Sequence, residues 1–220
     1  MQTEHDVTAI QLAGGLVEVW CAPVGDPEDH ADVLSADERA RAARLRRPAD
    51  RDRFRTAWTL ARRVLGDRLD TAPAALEIVR TCHNCGRTGH GKPALVDGGR
   101  WEFSLSHSHG YVMLAVSDAG PVGVDIEAAS KSFVDIATMV CAPSEQAAGA
   151  EELLWLWVRK EAVLKATGDG LAVPMTSFTL TPFTWPADSA RTDQPTIVDP
   201  GAPPGYRAAV AVLPALTAGS

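Results

Sequence analysis

The chain has 220 residues, enough for a sizeable core in one large domain or two smaller halves. With 28 acidic against 21 basic side chains its formal net charge is −7, which argues against a general nucleic-acid binder. No apolar run reaches the length of a membrane span, and the first residues, with Glu4 and Asp6, lack a basic-then-apolar signal pattern, so a soluble, cytoplasmic protein with no membrane partner is expected.

In chain order, alternation and β-branched content predict a first strand over 16–20. Ser35-Ala36-Asp37-Glu38 reads as a capping box that opens a helix. A second helix is predicted over 50–65, with Phe54, Ala57, Trp58, Ala61 and Leu65 as its apolar stripe and Gly66 as its end. This region crowds Arg39, Arg41, Arg44, Arg46, Arg47, Arg51, Arg53 and Arg55, followed by Arg62 and Arg63. Arginines suit planar phosphate contacts, and charge runs also form solvated helix faces; charge patterning alone leaves both readings open.

Further strands are predicted over 76–80, 111–117, 178–180 and 207–213, a helix near 133–140, and a Pro-, Asp- and Gly-rich loop over 182–205. The mixture indicates an α+β fold. Cys82-His83-Asn84-Cys85 with His90 nearby is open to zinc, but a lone Cys-x-x-Cys lacks the second pair of a zinc ribbon, and a reduced pair in a turn is favoured. Cys21 and Cys141 are isolated, and His5 and His30 read as surface residues. Ser106-His107-Ser108-His109 follows a short strand and ends at Gly110, where a hydroxyl, an imidazole and free amides can hold phosphate oxygens. A Ser–His nucleophile is disfavoured, since no Gly-x-Ser-x-Gly elbow is present.

Two acidic motifs carry the strongest chemical signal. Gly123-Val124-Asp125-Ile126-Glu127 reads as a strand, with Val122, Val124 and Ile126 facing a core and Gly123, Asp125 and Glu127 facing the other way. Two carboxylates side by side repel, so they are either solvated on the wet face of an edge strand or held by a cation. Oxygen-only ligands suit Mg²⁺. Trp157, Glu161 and Lys165 then fall on one stripe of a helix, with Lys160 bordering it. Leu153, Leu154, Trp155, Leu156 and Val158 make that helix mostly buried, where charge is costly unless paired or metal-bound, and Gly168 stands where its C-terminus ends.

Together Gly91-Lys92-Pro93, Phe103-Ser104-Leu105-Ser106-His107-Ser108, the Asp125/Glu127 strand and the Trp157–Lys165 stretch resemble the Sfp-type 4′-phosphopantetheinyl transferases, in the family's order over roughly residues 85–180. The stretch 34–66 resembles the family's basic helical region. The resemblance implies two similar α+β halves related by a pseudo-twofold, 1–119 and 120–220, with the active site between them. The Asp-Ala-Gly-Pro turn at 118–121 suits that boundary. It implies transfer of phosphopantetheine from coenzyme A to a serine of an apo acyl or peptidyl carrier protein by a monomeric enzyme. Mg²⁺ is implied at Asp125, Glu127 and Glu161, with Glu161 as general base and Lys165 assisting. Coenzyme A contacts are implied for Arg47 or a neighbouring arginine, Lys92, Pro93, Ser106, His107, Lys160 and Lys165. Ser104 stands where the family often has Asn. Two other classes stay open: a nucleotide-dependent Mg²⁺ phosphotransferase, against which the missing P-loop counts, and a binding module built around Cys82 and Cys85.

Overall fold

The computed structural model describes residues 6–25, 32–82, 84–129 and 136–215. The expectations for His5, His30, His83 and the 133–135 part of a helix lie outside them. The elements are β1 (Asp6–Leu12), β2 (Gly15–Pro23), α1 (Ala36–Arg44), α2 (Pro48–Leu69), β3 (Ile78–Thr81), β4 (Thr88–Leu95), β5 (Glu102–Ser108), β6 (Tyr111–Ser117), β7 (Val122–Ala128), α3 (Ala137–Val140), α4 (Ala150–Thr167), β8 (Thr179–Leu180), β9 (Phe183–Thr184), β10 (Thr196–Val198) and β11 (Tyr206–Val212). The fold is α+β.

The capping box forms: Glu38 N–H donates to Ser35 Oγ at 3.2 Å and Ser35 N–H to Glu38 Oε2 at 2.9 Å. That same Glu38 oxygen accepts from buried Arg62 Nε at 2.7 Å, while Arg62 also donates to the Pro73 and Leu76 carbonyls. Arg62 therefore ties α1, α2 and the chain after α2 together rather than serving a ligand. Gly66 does not end α2, contrary to expectation. The helix runs three residues further and stops at Asp70, which takes the left-handed conformation at φ 48. Gly66 is instead a packing position, because a Cβ there would stand 2.7 Å from the Thr71 carbonyl oxygen.

Two antiparallel sheets, ordered β1-β2-β6-β5 and β10-β11-β7, stack face to face. The helix α2 covers the outer face of the first, with Ala57, Trp58, Ala61 and Leu65 on Phe103, Val112, Leu114 and Val116. The inner faces meet through Val17, Val19, Met113 and Ala115 against Val122, Val124, Ile126, Val210 and Val212. The helix α4 covers the outer face of the second sheet, with Val158, Ala162 and Ala166 on Ala209 and Ala211. A strand buried on both faces reads as a continuous apolar run, as β6 does. Each fully buried Val or Leu in these layers contributes about 1.5–3 kcal/mol.

The sheets are joined along β5 and β7 by side chains. Ser104, Ser106 and Ser108, at alternate positions of β5, accept hydrogen bonds from the amides of Val124, Ile126 and Ala128 at 3.1, 3.3 and 3.2 Å. Those amides would otherwise need a neighbouring strand. Ser104 thus has a structural task of its own. The sequence reading missed β1, β4, β9 and β10. Glycines at 89 and 91 and Pro93 disguise β4, and the loop-like composition of 182–205 disguises β10. Among the described residues no helix is long and apolar enough to cross a membrane.

Candidate active site

The acidic strand has the expected parity and is the edge strand of its sheet, but that edge is covered by the β5 serines and Asp125 is not wet. Val122, Val124 and Ile126 are fully buried in the inter-sheet core. On the opposite face the helix α4 lies directly against Gly123. A Cβ there would meet the Ala162 carbonyl oxygen at 1.9 Å and the Ala166 nitrogen at 2.4 Å. Only glycine permits this approach, and the approach sets Glu161 and Lys165 beside Asp125 and Glu127. Asp125, 3% exposed, accepts at Oδ1 from Ser106 Oγ at 2.8 Å and from Lys165 Nζ at 2.7 Å. Its other oxygen, Oδ2, is buried without a partner. Glu127 accepts from Ser108 Oγ at 2.7 Å. The serines therefore join the sheets and hold both carboxylates. Lys165 also donates to Ser106 Oγ and the Val124 carbonyl.

These groups form one side of a cleft of about 670 Å³ that Asp125, Glu127, Trp157, Glu161 and Lys165 share with Ser106, His107, Lys92, Pro93, Arg41 and Arg80. The facing wall is cationic. Arg41 lies over the Phe54 ring and Arg80 over Trp58, at 5.8 and 5.7 Å. Arg80 Nε is buried without a partner. Burial and then the nearby Arg41 charge lower the Arg80 pKa to about 10, so each guanidinium stands beside a like charge. Lys92 reaches across to α4, where it donates to the Ala166 carbonyl at 3.1 Å and pairs with Glu102 at 3.3 Å.

Residues 121–210 match the family model ACPS, described as the 4′-phosphopantetheinyl transferase superfamily. A Synechocystis sp. protein assigned to the 4′-phosphopantetheinyl transferases is 30% identical, with 88% of this chain and 86% of that protein aligned. The 4′-phosphopantetheinyl transferase HetI of Nostoc sp. is 31% identical, over 74% of this chain and 73% of its own. The 4′-phosphopantetheinyl transferase Sfp of Bacillus subtilis is 30% identical over a shorter stretch, 41% of this chain and 44% of its own. The chain belongs to the 4′-phosphopantetheinyl transferase superfamily. It is an enzyme of that class, a transferase of the Sfp type.

In this transferase the cleft gathers most of the residues expected there: Asp125, Glu127, Glu161, Lys165, Lys92, Pro93, Ser106 and His107. Two are placed elsewhere. Arg47 is the exposed residue preceding α2 and does not line the cleft, where Arg41 and Arg80 stand instead. Lys160 is fully buried on the far side of α4. It donates to the carbonyls of Val140, Met175 and Phe178 at 2.8–2.9 Å and pairs with Glu145. All its donors are committed, so the expectation that it contacts coenzyme A is corrected: Lys160 braces the chain after α4. Arg80 was missed because an arginine within a short strand carries no local mark of a binding role.

The three carboxylates share the cleft without closing on a single point. Among the described residues only Cys82, Cys85 and His90 bring three ligand atoms within 4.8 Å of one another. The Lys165 ammonium lies against Asp125. Burial pushes the Glu161 carboxyl above the usual carboxylate range, Lys165 opposes this, and Asp125 and Glu127 add to it. Glu127 is raised by burial too, with Ser108 opposing. The surrounding protein, then Lys165 and Arg53, hold His107 below the usual histidine value, which favours a neutral ring at pH 7.

Proposed function

We propose that this enzyme transfers 4′-phosphopantetheine from coenzyme A to a serine of an apo acyl or peptidyl carrier protein, giving the holo-carrier and adenosine 3′,5′-bisphosphate, with Mg²⁺. The observation that carries this reading is the pairing of two walls in one cleft. One is a set of carboxylates with a buried, unpartnered Asp125 oxygen; the other is a set of cations with a buried, unpartnered Arg80 nitrogen. A pyrophosphate answers the second wall, and a hard cation answers the first. Both walls come from one chain, so the reading needs no second copy.

Asp125, Glu127 and Glu161 offer only oxygen donors, and Asp125 Oδ2 has a free lone pair, so the residues fit Mg²⁺ and would hold it. Bound there, the ion neutralises charge on the pyrophosphate. Arg41, Arg80 and Lys92 bind and orient the phosphates of coenzyme A, and Trp157 and Trp58 flank them. Neutral His107 donates a hydrogen bond from its ring N–H to a phosphate oxygen rather than adding charge. The carrier serine Oγ forms the new bond to the β-phosphorus as the bond from that phosphorus to the bridging oxygen breaks. Glu161, made more basic by burial and by its carboxylate neighbours, takes the serine proton at its carboxylate oxygen, directly or through a water. Lys165, whose ammonium already sits between Ser106 and Asp125, stabilises charge on the phosphates. The arginine-rich face of α1 and α2 suits an acidic carrier.

The test is incubation with coenzyme A and an apo-carrier, with Mg²⁺ or with a chelator. The expected result is a carrier mass increased by one phosphopantetheine, only with Mg²⁺. A carrier that gains nothing, or gains a nucleotide or phosphate instead, overturns the reading.

A further inference from the structure

The turn between β3 and β4 has a chemistry that the transfer reaction does not use. Cys82, Cys85 and His90 each offer a ligand atom, all within 4.8 Å of one another, and Cys85 Sγ lies 3.3 Å from His90 Nε2. In a tetrahedral zinc site, with Zn–S of about 2.3 Å and Zn–N of about 2.0 Å, ligand atoms stand about 3.5–3.8 Å apart, so small adjustments suffice. The backbone around the pair is closed into a tight turn. Gly86 N–H donates to the Cys82 carbonyl at 2.8 Å and Cys82 N–H to the Arg87 carbonyl at 3.0 Å. Gly86, at φ 68, supplies the left-handed residue that closes this loop. All four cysteines of the chain are free thiols.

We propose that Cys82, Cys85 and His90 bind one zinc ion, with water as the fourth ligand, and that the ion braces the rim of the cleft. Two thiolates and an imidazole form a borderline-soft set that prefers zinc to magnesium, so this site and the carboxylate wall do not compete for one metal. The brace acts on the cleft by short paths. Cys82 and His90 line it. Gly91, immediately after His90, packs so tightly that a Cβ would stand 2.7 Å from the Thr81 carbonyl and 2.9 Å from the Cys82 nitrogen. Lys92 follows at once. On the other side, Asn84 Nδ2 donates to the Asp169 carbonyl at 3.3 Å, joining the turn to the loop after α4. Residues 84–90 are exposed and bury no apolar side chain, so hydrogen bonds alone order this turn and a bound metal would add to that order.

The test uses the full chain, purified with reductant and dialysed against metal-free buffer. Elemental analysis is expected to show one zinc per chain. Cys85→Ser and His90→Ala should each lose it, and Cys141→Ser should keep it. Cobalt alone, added to chelator-stripped protein, should give thiolate charge-transfer absorption and tetrahedral ligand-field bands. Zinc should slow amide exchange across 82–91, a readout independent of any activity. Should Cys85→Ser fail to fold, His90→Ala, altered at an exposed position, carries the comparison. Wild-type protein with no zinc and no cobalt–thiolate band overturns the proposal. So does a Cys82–Cys85 disulfide in that protein, or zinc content unchanged in His90→Ala.

Discussion

The two walls of the cleft are built on opposite plans. The acidic wall is buried and over-connected: Asp125 and Lys165 share a bond, Ser106 serves both, and Ser108 holds Glu127, all pinned by the contact of α4 with Gly123. The cationic wall is half-open. Its guanidiniums rest on aromatic rings, Arg80 keeps an unpartnered nitrogen, and Lys92 is held by a carbonyl and a half-exposed carboxylate. Groups whose position matters to a fraction of an ångström in a reaction profit from the first plan. Groups that must receive a large, flexible polyanion profit from the second. The difference separates the proposed chemistry from the proposed recognition before any ligand is present.

The largest effect that could break this division is expected at Glu161. Glu161→Gln should lower turnover by roughly 10²–10⁴-fold at saturating coenzyme A, the usual cost of losing a general base. Thermal unfolding should be unchanged or shifted slightly upward, because a carboxylate that burial disfavours has been removed. Near-normal turnover in a folded variant would end the catalytic role. Rescue by high Mg²⁺ would keep the ligand role and discard the base.

Lys160 tests the same helix from its other side. Lys160→Ala leaves Glu145 buried without its partner and should cost about 3–5 kcal/mol in denaturant unfolding. Coenzyme A affinity of the folded protein should be unchanged. A stable variant with weakened coenzyme A binding would restore Lys160 to the cleft.

On the cationic wall, Arg80→Ala should raise KM for coenzyme A by about ten- to a hundredfold with little change in kcat, as expected for a charged hydrogen bond of about 1.5–3 kcal/mol. Its KM should also respond less to salt than that of the parent. Lys92→Ala should have a smaller effect, since Glu102 and the Ala166 carbonyl already hold that ammonium and compete with any phosphate. Titration calorimetry over a range of ionic strength decides both.

The smallest expected effect is on stability against pH. Glu127 and Glu161 have raised pKa values in the folded protein, chiefly through burial. Between the ordinary glutamate range and those raised values the folded state holds more protons than the unfolded one, so stability falls as pH rises through that window. Denaturant unfolding from pH 4 upward should show this fall, and Glu161→Gln should flatten it. An unchanged slope in the variant would mean that Glu161 is solvated.

Much of the acidic wall was legible from periodicity. Alternation put Val122, Val124 and Ile126 inward and Asp125 and Glu127 on the other face, and helical spacing put Trp157, Glu161 and Lys165 on one stripe. The cationic wall was less so. Arg41, Arg47 and their neighbours carry the same local signal, and only the packing of α1 against α2 and the course of β3 select Arg41 and Arg80. A solvated face and a binding face have the same sequence.

The sequence by itself determined the capping box at Ser35, the helix stop at Gly168, the inward face of β7 and the stripe of α4. Each depends on bonds or spacings within a few residues. Tertiary structure decided the different fates of Lys160 and Lys165, which stand about 140° apart around one helix. It also decided the use of three serines as a seam between sheets, and the meeting of His90 with Cys82 and Cys85. Local geometry sets the direction in which a side chain leaves the backbone. What it then meets is set by elements far away in the chain, and desolvation, pairing and pKa all follow from that meeting.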